Sequence, residues 1–342
     1  MFVKMQINLR ISSILLMLQF LQDLKMGKAT HAQLSEIFNH PDYEYEFRRY
    51  GVTRKESVLD YFLNLNTIKE SEIPFLRESR MTELKDKHSL WLFSYENPEH
   101  YGRILSEVKQ FITDEMLSEV AVMVNRGLPD GINMGNVDVI CTMSIGGSFG
   151  YVFDGAFHFD LLRLASDNLK VLPLLFAHEI HHVGMMKYQS EFEDTLSLEE
   201  WYIHSFASEG LAIKFCNNAQ GIISKCLYED RPANLGLDAF SMDYLNGKFD
   251  DALSVFKKTL ADICDGTISR DEVEQQFKDY WLNFHTEEQQ AEETPRLSHP
   301  LLYSFGNDLF GAIYDAYGKE ILFDCVRHPL KVIDYFEHLT KH

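Results

Sequence analysis

The sequence predicts an α+β fold, mostly helical, with one small β-sheet or hairpin. Apolar residues recur at helical spacing over most of the 342 positions. One short stretch, 137–159, carries strand-forming runs punctuated by Gly-Gly and Asp-Gly instead. With 45% hydrophobic and 25% charged residues, the chain has the balance of a protein with a sizeable core.

Taken in order, residues 10–125 read as helical. Ile14, Leu18, Leu21 and Leu24 form one face of an amphipathic helix that Gly27 stops. The segment 11–24 follows Lys4 and Arg10 and has the outline of a signal sequence. However, Gln19 and Gln22 interrupt it and no small-x-small cleavage site follows. It also falls short of the roughly 20 apolar residues that span a bilayer. A second helix is expected at 58–65. A longer one, 103–124, places Ile104, Val108, Phe111, Ile112, Met116 and Val120 at helical spacing. Gly127, Pro129 and Gly131 break that pattern. Residues 137–143 read as a strand followed by the turn signal Gly146-Gly147; 149–153 and 156–159 read as two more, joined at Asp154-Gly155, a pair suited to tight hairpins. Helices resume from Pro173, the polar, acidic stretch 284–299 reads as an exposed loop, and the last 40 residues are apolar and helical.

Charge narrows the function. Lys and Arg number 32 against 52 for Asp and Glu, a net charge of −20 that repels phosphate backbones and anionic lipid. Neither nucleic acid nor membrane is an expected partner. Cys141, Cys216, Cys226, Cys264 and Cys325 are scattered, odd in number and free of C-x-x-C spacing. Reduced thiols in a cytoplasmic protein fit that pattern better than a disulfide framework.

The chemistry-bearing motif is His178-Glu179-Ile180-His181-His182, led in by the apolar run 172–177 with Pro173 suited to a first helical turn. Residues four apart stack on one helix face, so His178 and His182 can offer imidazole nitrogens to one ion. Glu179 is placed as general base toward a water that zinc activates. Other registers pair His178 with His181, or Glu179 with His182 as in carboxylate-bridged di-iron bundles. The latter needs a second E-x-x-H on a buried helix, and the chain offers none.

A catalytic zinc takes three protein ligands and keeps a position open. Met185 and Tyr188 stand where the H-E-x-x-H-x-x-G-x-x-H pattern needs Gly and His. Further on, Ser197 and Glu200 form a capping-box signature opening a helix expected to reach Cys216. Within it Glu209 is a carboxylate in a small, apolar stretch and needs a partner if buried. Glu191, Glu193, Asp194 and His204 are rivals.

His178-Glu179-x-x-His182 followed by Glu209-Gly210-Leu211-Ala212 resembles the gluzincin metallopeptidases. Within that clan it is most similar to bacterial proteins known only as zinc-dependent peptidases of unknown function. Tyr303-Ser304-Phe305-Gly306, then Tyr317-Gly318 and His328-Pro329, fit their layout over roughly residues 100–340. The resemblance implies a zincin-like catalytic domain at 101–342, with 1–100 a helical region packed on it. It implies Zn2+ held by His178, His182 and Glu209, with Glu179 as base. Tyr303 would stabilise the oxyanion, with Tyr202, His204 and His299 as alternatives. The strands at 149–159 would hold a peptide substrate by strand addition, or simply cover the metal helix. Two departures stand out: the 26 residues between His182 and Glu209 call for an extra loop at 183–196, and Ile213 occupies the place of an aspartate that orients a histidine in some members. Hydrolysis of another amide or ester by the same machinery is the alternative reading, and a non-catalytic metal-binding scaffold is a third.

Overall fold

The computed structural model describes residues 5–53, 55–76, 83–164, 166–217, 220–225, 239–282 and 299–340. Most of the acidic stretch expected as a loop, 284–298, lies outside them, as does Cys226. The architecture is α+β: sixteen α-helices are described, with a single four-stranded mixed sheet. No described helix is long and apolar enough to cross a membrane. Cys141, Cys216, Cys264 and Cys325 are free thiols.

Two compact units interleave along the chain. One comprises Lys4–Ser118 and Met134–Leu172; the other includes Glu119–Asn133 and Pro173–His342. The first holds the sheet. Strand β1 (Met5–Arg10) pairs in parallel with β2 (Gly135–Thr142), β2 in parallel with β4 (Ala156–Asp160), and β4 antiparallel with β3 (Gly150–Phe153). β1 was not expected, although Met5, Ile7 and Leu9 alternate with Gln6, Asn8 and Arg10 as strand residues do. The β3–β4 hairpin turns on Asp154 and Gly155, at φ 52° and 75°, a left-handed pair whose twist matches the strands it joins.

Helices α1 (Ser12–Lys25), α2 (His31–Phe38), α3 (Pro41–Tyr50), α4 (Lys55–Leu63), α5 (Glu83–Glu96) and α6 (Pro98–Phe111) fill the rest of that unit. The segment that resembles a signal sequence is α1, whose Ile14, Met17, Phe20 and Leu21 are fully buried. An edge-to-face chain from Phe38 to Phe62 to Trp91, with ring centroids 5.3 and 4.6 Å apart, ties α2, α4 and α5 together. The long helix expected at 103–124 is two, α6 and α7 (Asp114–Gly127). Thr113 breaks it, its hydroxyl accepting from the N–H of Met116 at 3.2 Å.

The second unit contains α8 (Leu172–Gln189), α9 (Leu198–His204), α10 (Ala207–Ala212), α11 (Ala239–Gly247), α12 (Phe249–Cys264), α13 (Arg270–Gln276), α14 (Leu301–Gly306), α15 (Ala312–Arg327) and α16 (Lys331–Thr340). The capping box of Ser197 and Glu200 opens α9 as expected. The helix does not run unbroken to Cys216, however: it re-forms as α10 and ends in a π-turn, Ile213–Asn217. Phe206, Trp281 and Phe305 form an aromatic core, with Phe206 and Phe305 centroids 4.6 and 4.8 Å from that of Trp281. This cluster holds α10 and α14 face to face.

Candidate metal centre

All residues of the centre belong to the second unit. In α8, one helical turn separates His178 from His182, and their Nε2 atoms lie 3.0 Å apart. α10 delivers Glu209, whose Oε2 is 3.4 Å from Nε2 of His178 and 3.2 Å from Nε2 of His182. Among the described residues these three form the one group of His, Cys, Asp or Glu side chains able to share an ion. Ligand atoms about 2.0–2.1 Å from a tetrahedral zinc stand about 3.3 Å from one another. The three separations fit that figure. The Glu209 side chain is 26% exposed, yet its Oε2 is buried. A buried carboxylate oxygen facing two imidazole nitrogens is an arrangement that a cation satisfies.

The electrostatics agree. Burial alone would lower the pKa of His178, but the hydrogen bond and charge of Glu209, with the charge of Glu179, push it up to about 9. Burial would raise that of Glu209, but the charge of His182 and hydrogen bonds from both imidazoles hold it well below the usual carboxylate range. The centre stabilises positive charge.

The other nitrogens of the three α8 histidines are held from behind. Nδ1 of His178 lies 2.7 Å from Oδ1 of Asn217, and Nδ1 of His182 lies 2.9 Å from the hydroxyl of Ser208. His181 turns away from the centre, its Nε2 donating to the carbonyl of Gly127 at 2.7 Å. Burial, then the neighbouring His182, lower its pKa to about 3, so it stays neutral. Ser208 and Asn217 went unnoticed in the sequence. Ser208 directly precedes Glu209, which was a usable signal; Asn217 sits behind a π-turn that no regular spacing reveals.

Glu179 is buried beside His178, 7% exposed, and its charge acts on both His178 and Tyr303. Tyr303, on α14, lies parallel to the His178 ring, with centroids 6.3 Å apart and planes 8° apart. Burial, then the charges of Glu209 and Glu179 and a hydrogen bond with Glu209, push its hydroxyl well above its usual pKa. His299 packs against Tyr303, centroids 4.8 Å apart.

The remaining rivals are placed elsewhere. The hydroxyl of Tyr202 accepts from Trp281 at 3.2 Å in the aromatic core. His204 lies 3.1 Å from the Gln189 amide, and burial lowers its pKa to about 4. Glu191 pairs with Arg327 on the surface, and Glu193 and Asp194 sit in an exposed 3₁₀ turn. The extra loop expected at 183–196 is in large part helix, since α8 runs on to Gln189 before that turn begins.

A family model described as "Putative zinc dependent peptidase (DUF5700)" matches residues 34–342. No curated protein and no solved structure matches the chain.

Proposed function

The chain belongs to the peptidase family of that description, and we propose that it hydrolyses peptide bonds with a gluzincin-type zinc centre. The observation that carries this reading is the approach of Glu209 Oε2 to both Nε2 atoms, at 3.4 and 3.2 Å. His178, His182 and Glu209 would hold the ion. When bound, zinc supplies Lewis acidity toward a carbonyl and lowers the pKa of water.

The rest is the work of the chain's own side chains. Glu179 takes a proton from the attacking water at its carboxylate and returns it to the departing amine. It is buried, and its charge acts on His178 and Tyr303 on either side. Tyr303 donates its hydroxyl hydrogen to the carbonyl oxygen as negative charge develops there. Its raised pKa, caused first by burial, keeps that hydrogen in place at neutral pH. The 26% exposure of Glu209 gives a substrate access to the centre.

The test is zinc content of the purified chain measured beside chelator-sensitive cleavage of a peptide library. The Glu179→Gln variant should keep one zinc per chain and lose about 100-fold or more in turnover. Wild-type chain that binds no zinc, or a Glu179→Gln variant as active as wild type, would falsify the reading.

A further inference from the structure

α8 carries three histidines within five positions, and two of them are suited to grip an ion. Their partners sort them. An imidazole that donates from one nitrogen leaves a bare lone pair on the other, so the group behind the ring decides which nitrogen can bind metal. His181 meets a backbone carbonyl at Nε2, which accepts only, so its hydrogen sits on Nε2. His178 meets Asn217 at the opposite nitrogen, Nδ1, at 2.7 Å.

We propose that Asn217 is a positioning residue that accepts the Nδ1 hydrogen of His178 through its side-chain oxygen and so directs the Nε2 lone pair at the metal. This rests on the zinc reading above.

Three observations support it. First, the reverse amide orientation would aim an N–H at Nδ1 and force the hydrogen onto Nε2. That hydrogen would then stand among the three converging ligand atoms, Nε2 of His182 at 3.0 Å and Oε2 of Glu209 at 3.4 Å. Second, Asn217 is fully buried and its Nδ2 has no hydrogen-bond partner. Leaving a buried amide N–H2 unpaired disfavours folding, and an apolar residue would fill the space without that cost. The oxygen is what the position gains. Third, the backbone is built to bring this residue round. Eight residues along a regular α-helix, Asn217 would stand about 80° from the face of Glu209. The π-turn Ile213–Asn217 rotates less per residue and swings it back toward that face. Ile213, one turn after Glu209, is buried and apolar, and forms with Met242 a cluster against which Tyr303 packs. The polar group that reaches Nδ1 of His178 stands one turn further along the chain, at Asn217.

The experiment uses the full chain loaded with zinc. Long-range 1H–15N correlation of labelled histidines should show His178 protonated at Nδ1, with a hydrogen slow to exchange. Competition against a chromophoric chelator should show Asn217→Leu binding zinc about 10- to 100-fold more weakly. Asn217→Asp, which keeps an acceptor oxygen, should bind at least as tightly as wild type to within about threefold. A His178 that binds the ion through Nδ1 would overturn the proposal even if Asn217→Leu failed to fold. So would Asn217→Leu affinity within threefold of wild type, or an Asn217→Asp loss as large as that of Asn217→Leu. Wild-type chain that takes up no zinc at all would instead sink the metal reading beneath it.

Discussion

Gly210 and Gly306 meet backbone to backbone: a Cβ on Gly210 would stand 2.2 Å from the carbonyl carbon of Gly306 and 2.4 Å from its oxygen. Gly210 follows Glu209 on α10, and Gly306 lies three residues after Tyr303 on α14. The absent side chains let the two helices touch, and that contact sets Tyr303 against the Glu209 carboxylate. Backbone atoms cannot step aside as a flexible side chain can. Gly210→Ala should therefore cost about 1–3 kcal/mol or more in urea unfolding and weaken zinc binding as Glu209 is displaced. Unchanged stability together with unchanged zinc affinity would show that the contact sets neither.

Tyr303→Phe separates ring from hydroxyl. The parallel packing on His178 survives in Phe, whereas the donor is lost. Turnover of a cleaved peptide should drop about 100- to 1000-fold with KM little changed and zinc content intact. Loss of zinc in this variant would make the hydroxyl a support of the Glu209 carboxylate instead of a group that touches substrate.

How much of this centre was legible depends on how regular the backbone is. His178 and His182 could be paired from sequence because α8 is an uninterrupted helix, so spacing of four maps onto distance. Glu209 could be found because a single carboxylate stands among small and apolar neighbours. Asn217 could not, because the π-turn between it and Glu209 breaks the period on which such pairing depends. β1 failed for another reason. Its alternation is plain, but the partner that makes it a strand, β2, begins at Gly135, a parallel pairing far along the chain that local pattern does not reveal. The 103–124 stretch misled in the opposite direction: apolar spacing carried on across Thr113, where a cap starts a new helix.

Two further glycines give opposite expectations for the same substitution. A Cβ on Gly127 would lie 2.7 Å from Nε2 of His181 and 2.9 Å from the Phe215 ring, displacing the hydrogen bond that ties α8 to the end of α7. Gly102 lies within α6, and beyond its own stretch of helix such a Cβ would meet open space. Gly127→Ala should destabilise the chain by about 1–3 kcal/mol. Gly102→Ala should stabilise it by up to about 1 kcal/mol through helix propensity and a less flexible unfolded chain. Thermal melts of both variants check the pair, and a shift of the same sign in each would contradict the packing argument.

The sheet unit carries its own pH signature in Glu46, on α3. Its fully buried carboxylate accepts from the Thr142 hydroxyl and, at 2.9 Å, from the N–H of Ile145. Burial pushes its pKa from 4.5 up to about 7, opposed by those two hydrogen bonds and by Lys87, and assisted by Asp160. The folded chain thus prefers the protonated group. Its contribution is fully present below the unfolded pKa of 4.5 and is lost as pH rises toward about 7. A shift of that size corresponds to about 3 kcal/mol. Glu46→Gln cannot ionise, so its stability relative to wild type should rise by roughly that amount between pH 4.5 and pH 8. Urea unfolding of both proteins at the two ends of the range measures the difference. Were it the same at each, the Glu46 carboxyl would ionise over the same pH range in the folded and unfolded chain, and the two hydrogen bonds and Lys87 would offset its burial in full.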